Sequence, residues 1–193
     1  MNDPIWSLKA KFYRTLRTNF PFNFILKKEN KKLESILGLI GISNKKTVDL
    51  GTGTGNVLQY LVDSKLTIGI DFTFSMLQSM RQYYPETNLL QANAIALPIK
   101  HGSLELVTAV GLSEYLKNVE PLFKETCQVL KKNGFLLLTF SPCGIWSRLR
   151  LLLGHKIYLR TFADLDAIAK SEGFQIIKNS HSLMQAQVLF QKN

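Results

Sequence analysis

Short apolar segments alternate with longer amphipathic segments along most of the sequence, and this alternation restricts the fold more than any other feature. The apolar segments have the length of strands: TVDL, LTIGID, NLLQAN, SLELVTAVG and FLLLTFS. Strands that alternate with helices build an open, mostly parallel sheet. We therefore expect an α/β protein whose sheet carries helices on both faces.

The segments between the predicted strands have helical periodicity. In the segment 22–41, one face is apolar and Gly41 follows it as a stop signal. The residues on that face are Leu26, Leu33, Ile36, Leu37 and Ile40. Further helices are predicted in NVLQYLVDS, directly after a glycine-rich stretch, and in TFSMLQSMRQYY, before Pro85. In NVEPLFKETCQVLKKNG, we expect a helix with Asn118 as N-cap and Gly134 as its end.

The last third of the chain predicts one more helix and a hairpin. In TFADLDAIAKSEG, Thr161 and Asp164 have approximately the spacing of a capping box, and Gly173 ends the helix. The segments FQIIKNS and LMQAQVLFQKN are separated by a short polar turn, which is typical of an antiparallel hairpin. We expect this hairpin to supply an antiparallel strand at the edge of the sheet.

Three glycines follow the first predicted strand at intervals of two residues, Gly51, Gly53 and Gly55 in VDLGTGTG. Glycine accepts the backbone conformations of sharp turns and lets a ligand approach the main chain closely. In parallel α/β sheets, ligands bind beyond the carboxyl ends of the strands. The loop and the neighbouring Asp49 therefore form a predicted binding site.

A second acid, Asp71, ends the next predicted strand. A carboxylate at this position is suited to accept hydrogen bonds from both hydroxyls of a ribose. The glycine spacing departs from the G-x-G-x-x-G pattern of dinucleotide sites, and Asp49 would repel a pyrophosphate. An acid beside the loop suits an amino or sulfonium group, so these residues favour S-adenosylmethionine over NAD.

Five segments in register carry a family resemblance: VDLGTGTG, GIDFTFSML, QANAIALPIKHGSLELV, VGLSEYLKNVEPLFKETCQVLKKNGFLLLTFSP and RTFADLDAIAKSEGF. Over residues 47–174 the chain resembles the class I S-adenosylmethionine-dependent methyltransferases, and more narrowly the branch of the ubiquinone/menaquinone biosynthesis methyltransferases. The resemblance implies a Rossmann-like seven-stranded sheet with an antiparallel C-terminal strand. It also implies S-adenosyl-L-methionine as the cofactor.

The resemblance further implies a set of cofactor contacts. It assigns the methionine portion to Asp49, Gly51, Gly53 and Gly55, the ribose to Asp71, the adenine to Phe72, Met76, Asn93 and Ala94, and the sulfonium end to Gly111 and Leu112. Apolar residues on a helix are also typical of a core, so Phe72 and Met76 have that second interpretation.

Two residues depart from the family pattern. Asn93 replaces the usual Asp, so only its amide carbonyl can accept a hydrogen bond from the adenine amino group. Arg14 replaces the acid of an N-terminal FYD segment, in which Tyr13 keeps the position of a lid residue. Tyr115 and His155 are further candidates for contact with the substrate. The histidines have no metal-ligand spacing, and we assign no metal ligand and no catalytic base.

The net charge of +10 is unevenly distributed, since residues 1–46 contain ten Lys or Arg residues and three acids. Such a surplus favours an anionic partner, such as a membrane surface or nucleic acid, or else forms a solvated basic face. The segment 144–160 alternates apolar and basic residues. It is predicted to be either an interfacial element at the mouth of the site or a surface helix.

The length fits one structural domain, in which residues 1–45 form a helical cap or lid and residues 46–193 form the cofactor-binding core. No apolar run reaches the ~18 residues that cross a bilayer. The N-terminus lacks the pattern of a signal peptide. We expect a mature cytoplasmic protein, peripheral to the membrane if it contacts one.

The predicted activity is in-line methyl transfer to a small or lipophilic acceptor, such as a quinone precursor or a phospholipid headgroup. One alternative is an RNA methyltransferase, which the basic N-terminal region supports. It is less favoured because GLSEYL follows the fourth strand where nucleic-acid amino-methyltransferases place an Asn/Asp-Pro-Pro-aromatic run. The other alternative is a non-catalytic partner protein that binds S-adenosylmethionine.

Overall fold

The computed structural model describes residues 22–145, 147–148, 156–182 and 185–193. Within these ranges seven strands form one sheet, in the order β3-β2-β1-β4-β5-β7-β6. The strands are β1 (Lys46–Leu50), β2 (Leu66–Asp71), β3 (Asn88–Gln91), β4 (Leu104–Ala109), β5 (Leu130–Phe140), β6 (Phe174–His181) and β7 (Ala186–Lys192). The helices are α1 (Phe22–Ile40), α2 (Phe74–Arg81), α3 (Glu120–Val129) and α4 (Phe162–Ser171), with short 3-10 helices at Leu58–Tyr60 and Ser113–Tyr115.

The sheet is parallel from β3 to β5 and changes direction at β7. Strand β1 pairs in parallel with β2 and β4, and the pairs β2–β3 and β4–β5 are also parallel. Strand β7 is antiparallel to both β5 and β6. The predicted topology is confirmed, with one refinement: the antiparallel strand lies one position inside the edge, which β6 occupies.

Helices cover both faces of the sheet, as predicted. On one face, buried residues of α1 and α2 pack with sheet residues: Leu33, Ile36, Leu37, Met80, Leu106, Leu137 and Leu189. On the other face, α3 and α4 pack against the sheet, and three rings meet edge to face: Phe123, Phe174 and Phe190. Each face therefore excludes water through its own apolar cluster.

Helix α1 is the described part of the predicted cap, and its apolar face packs against the sheet. It ends where predicted, at Gly41, whose φ of +56° continues no right-handed helix. The predicted apolar face is confirmed: Leu33, Ile36 and Leu37 are buried, and Leu26 and Ile40 are partly buried. The rest of the predicted cap, residues 1–21, lies outside the described residues.

The helix predicted in NVLQYLVDS is wrong. This segment forms turns around the 3-10 helix Leu58–Tyr60, with successive bonds from residue i to i+3, such as Leu61 N–H to the carbonyl of Leu58 at 2.9 Å. In a 3-10 helix, residues three apart lie on one side, which lets Leu58 and Leu61 both be buried. A spacing of three residues is compatible with an α-helix and with a 3-10 helix, so the hydrophobic periodicity could not distinguish the two helix types.

The predicted end of α3 at Gly134 is also wrong, because the helix stops at Val129 and β5 begins at Leu130. Leu130 is fully buried and pairs with Leu104 of β4, and the register then shifts. Gly134 lies in this irregular part of the strand, where a Cβ atom would come within 2.9 Å of the Lys131 carbonyl oxygen. The predicted N-cap is one residue early: Val119 is the N-cap, and Asn118, one residue before it, accepts the Glu120 N–H through Oδ1 at 3.0 Å.

The C-terminal predictions agree with the structure. The Thr161 side chain accepts the Asp164 N–H, and the Asp164 carboxylate accepts the Thr161 N–H, which completes the capping box of α4. Strands β6 and β7 form the predicted hairpin. Among the described residues, no helix is both long enough and apolar enough to cross a membrane.

Candidate cofactor-binding site

The strand order reverses between β1 and β4, and a cavity of about 490 Å³ lies at the carboxyl ends of these strands. A reversal of this kind leaves a crevice, because the connections leave the two strands toward opposite faces. The volume falls within the ~300–1,000 Å³ of typical ligand pockets. The sheet topology therefore places the candidate site where the glycine loop follows β1.

Asp49 of β1 lines the cavity and is 1% exposed. One carboxylate oxygen, Oδ1, accepts the Thr108 hydroxyl at 2.6 Å. The other oxygen, Oδ2, is buried and has no hydrogen-bond partner among the described residues. Burial raises the pKa of Asp49 from 3.8 to about 6. The hydroxyls of Thr108 and Thr52 lower this pKa, and the charge of Asp71 raises it further. An acceptor held in this state suits a ligand with an N–H donor or a positive charge.

Asp71 ends β2 and holds the glycine loop. Its Oδ2 accepts the Gly53 N–H at 2.9 Å, and its Oδ1 accepts the Thr73 N–H at 2.8 Å. Burial raises the pKa of Asp71, while these backbone donors lower it. Because a carboxylate has about four acceptor positions, each oxygen keeps one for a ligand hydroxyl.

The glycines of the loop serve different purposes. Gly51 and Gly53 line the cavity with φ values of +66° and +53°, a conformation that side chains rarely adopt. Gly55 has a φ of +83° but does not line the cavity. A Cβ atom there would come within 2.7 Å of the Tyr84 ring, so the structure gives Gly55 a packing role.

The residues predicted to contact adenine surround one part of the cavity. Phe72 is 48% exposed, whereas Met76 is 3% exposed and packs in the protein, and both line the cavity. Asn93 and Ala94 also line it. The Asn93 carbonyl Oδ1 accepts the Ile95 N–H at 3.2 Å, so its amide group is directed away from that contact.

The loop after β4 carries Gly111 and Leu112, which the resemblance assigns to the sulfonium end and which line the cavity. Gly111, with a φ of +75°, donates its N–H to Thr139 Oγ1 at 2.8 Å. Leu112 packs within 3.0 Å of the position that a Gly51 Cβ atom would take. This contact brings the loops after β1 and β4 together.

Arg160, the last residue of the segment 144–160, holds the same loop. Its guanidinium donates to the carbonyl oxygens of Ser113 at 2.9 Å, of Lys117 at 3.3 Å, and of Leu116. It is 9% exposed and carries its charge beside the buried Glu114. Arg160 therefore holds the backbone between Ser113 and Lys117.

The cavity collects most of the predicted site residues. Those that line it are Asp49, Gly51, Gly53, Asp71, Phe72, Met76, Asn93, Ala94, Gly111, Leu112 and Tyr115. Tyr13, His155 and most of the apolar part of the segment 144–160 lie outside the described residues. Among the described residues, no group of three or more His, Cys, Asp or Glu is placed to hold a metal ion.

Sequence analysis did not identify Glu29 of α1 or Gln185 and Gln187 beside β7, which also line the cavity. A signal for Glu29 was present: it lies three residues after Leu26 and four before Leu33, on the apolar face of α1. Gln187 is 1% exposed and is followed in β7 by three apolar residues, Val188 to Phe190. In both cases a polar residue at a core position marks the cavity.

The charged residues of the cavity lining are all acidic in the described part of the chain: Glu29, Asp49 and Asp71. This is the opposite of the net charge of the chain, which is +10. The site therefore favours cationic groups and hydrogen-bond donors.

The parallel sheet with an antiparallel last strand, the glycine loop after β1 and the acids ending β1 and β2 define the fold and site of class I S-adenosylmethionine-dependent methyltransferases. Residues 48–138 match the family described as "Methyltransferase domain". This match confirms the predicted resemblance: residues 48–138 are similar to a methyltransferase domain. The cofactor of the class is S-adenosylmethionine, and the unpartnered Asp49 oxygen, the open Gly53 backbone and the acidic lining fit it.

Two curated proteins illustrate the similarity. An uncharacterised methyltransferase-like protein of Schizosaccharomyces pombe is 31% identical over 96 residues, which cover 49% of this chain and 37% of that protein. The ubiquinone/menaquinone biosynthesis C-methyltransferase UbiE of Campylobacter jejuni is 25% identical over 119 residues, which cover 56% of this chain and 49% of UbiE. The match thus spans less than half the length of each relative.

A solved structure shows the same fold over nearly the whole chain. Magnesium protoporphyrin IX methyltransferase from Synechocystis PCC 6803, crystallised with bound SAH, superposes with a TM-score of 0.82. The superposition covers 97% of this chain and 95% of that chain, at 14% sequence identity. At this identity the similarity concerns the fold alone.

Proposed function

We propose that the protein catalyses methyl transfer from S-adenosylmethionine to a small or lipophilic acceptor. The observation that carries the proposal is the pair of carboxylates at the ends of adjacent strands, Asp49 and Asp71, on either side of the glycine loop in one cavity. The match of residues 48–138 to the methyltransferase domain supports it.

The residues of the cavity divide the recognition of the cofactor among them. Asp49 binds the amino group of the methionine portion through its unpartnered oxygen, and Asp71 binds the ribose hydroxyls. Asn93 and Ala94 contact the adenine edge, with Phe72 and Met76 beside the ring. When bound, the cofactor supplies an electrophilic methyl group on a positively charged sulfur.

The role of the protein is to orient the cofactor and the acceptor and to exclude water from the cavity. Gly111 and Leu112 position the end of the cavity at which transfer takes place, and the Thr139 and Arg160 hydrogen bonds hold their loop. Fixing two reactants in line lowers the entropic part of the barrier. Methylation of an electron-rich acceptor needs little acid–base assistance, so positioning is the main contribution of these residues.

Three observations support a small or lipophilic acceptor. Apolar side chains line part of the cavity beyond the predicted cofactor contacts: Leu26, Leu33, Val57 and Leu116. UbiE, a similar protein, is named for ubiquinone and menaquinone biosynthesis. An acidic cavity lining also disfavours an RNA backbone as the group that enters it.

The proposal is tested in two stages. Calorimetry compares S-adenosylhomocysteine, S-adenosylmethionine and NAD; we expect the first two to bind and NAD not to bind. The second stage incubates the protein with methyl-labelled S-adenosylmethionine and either a quinol, phosphatidylethanolamine vesicles or total RNA. Label in the quinol or the lipid supports the proposal, and label in RNA alone supports the RNA methyltransferase. Cofactor binding without any transfer supports the non-catalytic partner protein.

A further inference from the structure

Helix α1 has two faces of opposite character. Four of its residues line the cavity at the spacing i, i+3, i+4 and i+7 of one helix face: Leu26, Glu29, Asn30 and Leu33. Two residues earlier, the same spacing describes a second set, which is exposed: Phe24, Lys27, Lys28 and Lys31. A shift of two residues turns a helix by about 200°, so the two sets lie on opposite sides. We refer to the exposed set as the basic face of α1.

The positive charge of the basic face is not neutralised within the described part of the chain. No carboxylate there forms an ion pair with Lys27, Lys28 or Lys31. Glu34 is the one exposed acid of α1, whereas Glu29 is buried on the other side of the helix. A group of exposed lysines without paired carboxylates favours an anionic partner.

The basic surface continues from α1 onto β6, at the edge of the sheet. The Lys32 ammonium donates to the backbone carbonyl of His181, which connects α1 with the end of β6. Lys178 of β6 is exposed and pairs with Leu189 of β7, whose side chain packs in the same cluster as α1. Because directly paired residues project to the same face of a sheet, Lys178 lies on the side that α1 covers. An anionic surface that approaches this side therefore meets lysines from two elements.

Two observations favour a lipid surface over nucleic acid as the anionic partner. The Phe24 side chain is 57% exposed among the lysines, and the Lys28 ammonium lies 4.6 Å from the centroid of its ring. An exposed aromatic ring among basic residues is typical of helices that lie at a membrane interface. The second observation is the opposite face of α1, where Leu26 and Leu33 line a cavity whose described charged residues are all acidic. Such a cavity admits a lipophilic acceptor and repels the phosphates of RNA.

We propose that the basic face of α1 docks the protein on a membrane of anionic phospholipids, from which a lipophilic acceptor reaches the cavity on the other side of the same helix. An α-helix with its side chains is about 10–12 Å thick, so the docked membrane lies about that far from the cavity wall. Because the apolar face of α1 packs against the sheet, the docking is electrostatic and peripheral, with Phe24 as an apolar contact. The docking does not depend on the proposed function, whereas the delivery of the acceptor rests on it.

The test measures co-sedimentation of the protein with lipid vesicles at about 0.1 M salt. One set of vesicles is phosphatidylcholine alone, and the other contains about one third phosphatidylglycerol. We expect the affinity for the anionic vesicles to be at least about tenfold higher. At about 1 M salt this difference should disappear, because the Debye length falls from about 10 Å to about 3 Å.

Two charge variants assign the binding to the basic face. The test variant replaces its three lysines: Lys27→Gln, Lys28→Gln and Lys31→Gln. The control replaces three exposed lysines outside α1 and changes the net charge equally: Lys100→Gln, Lys124→Gln and Lys132→Gln. Since each lysine near an anionic surface contributes about fivefold, the test variant should lose about a hundredfold in vesicle affinity and the control less than about threefold. Phe24→Ser should lower the affinity about fivefold, because it removes the apolar contact.

The outcomes separate the docking from the proposed function. Equal binding to both kinds of vesicle, no binding to either, or equal affinities of the test and control variants overturns the proposal. Displacement of the protein from anionic vesicles by single-stranded RNA at equal phosphate concentration assigns the basic face to nucleic acid and also overturns it. A wild type that binds anionic vesicles but not S-adenosylhomocysteine supports the docking and contradicts the proposed function. Thermal unfolding of each variant shows that lost binding does not come from lost folding.

Discussion

The carboxylate of Asp71 accepts a hydrogen bond from the backbone N–H of Gly53 at 2.9 Å, across 18 residues of sequence. Through this bond the end of β2 determines the shape of the loop after β1. The same carboxylate accepts the Thr73 N–H that precedes α2. One side chain thus joins the loops that follow β1 and β2.

Replacement of Asp71 by Asn tests its role in ribose binding. Asn keeps one acceptor oxygen but loses the charge and the second acceptor, so one ribose hydroxyl loses its partner. We expect the affinity for S-adenosylhomocysteine, measured by calorimetry, to fall about a hundredfold, since hydrogen bonds to charged groups contribute about 1.5–3 kcal/mol each. Asp63→Asn, at an exposed turn, is the control and should leave the affinity unchanged. Wild-type affinity in Asp71→Asn would show that the ribose lies elsewhere.

The raised pKa of Asp49 predicts a pH dependence of cofactor binding. Its carboxyl is protonated well below pH 6 and ionised above it. If the ionised form binds the ligand amino group, the affinity for S-adenosylhomocysteine decreases as pH falls below 6, by up to about tenfold per pH unit. Calorimetry between pH 5 and pH 8 measures this dependence. Asp49→Asn should bind S-adenosylhomocysteine weakly at every pH, and its affinity should not change with pH near 6.

The same shift predicts that the unliganded protein is less stable at higher pH through this group. The folded state holds the Asp49 proton up to a pKa of about 6, whereas the unfolded state releases it near 3.8. Stability therefore falls as pH rises between these values, by about 3 kcal/mol for this residue alone. Urea unfolding of the wild type and of Asp49→Asn at pH 4, 6 and 8 isolates the contribution. A difference between the two proteins that is independent of pH would contradict it.

Gly55 provides a test of packing as opposed to ligand contact. Gly55→Ala places a Cβ atom within 2.7 Å of the Tyr84 ring at a φ of +83°. Gly102→Ala is the matched control, because its φ is +60° and no atom lies within 4 Å of the new Cβ. We expect the control to lose about 1–2 kcal/mol of unfolding free energy and Gly55→Ala about 2 kcal/mol more. The affinity of folded Gly55→Ala for S-adenosylhomocysteine should lie within about threefold of that of the wild type. A larger loss of affinity would support the predicted contact between Gly55 and the cofactor.

Arg160 should be necessary for the order of the loop after β4. Arg160→Met leaves the carbonyl oxygens of Ser113, Leu116 and Lys117 without this donor and removes the positive charge beside buried Glu114. We expect a loss of about 3–5 kcal/mol in urea unfolding. Arg81→Met is the control, since Arg81 also donates to backbone carbonyls but is exposed, and it should cost less than about 1 kcal/mol. Similar losses of unfolding free energy in both variants would contradict this role of Arg160.

Local rules predicted the elements whose signals lie within a few residues. Sequence predicted the capping box of Thr161 and Asp164 and the end of α1 at Gly41. Both features depend on residues that are close in sequence, because the unpaired backbone groups at a helix end are satisfied locally. The glycine loop and the acids at the ends of β1 and β2 were also found from sequence, since parallel strands bring their carboxyl ends to one edge.

Packing between residues that are distant in sequence determined the features that local sequence patterns did not predict. Leu58 and Leu61 have a spacing that fits a helix, but burial beside Tyr84 and Met80 selects a 3-10 helix. Gly134 has the sequence pattern of a helix end, but the pairing of Leu130 with Leu104 starts β5 before Gly134 is reached. Glu29 and Gln187 are 158 residues apart, and only the folding of α1 onto the sheet beside β7 joins them. Sequence determined the fold class and the cofactor side of the cavity, because those follow from local geometry. The side of the cavity formed by α1 and β7 depends on which distant surfaces bury each other, and only the tertiary structure decided it.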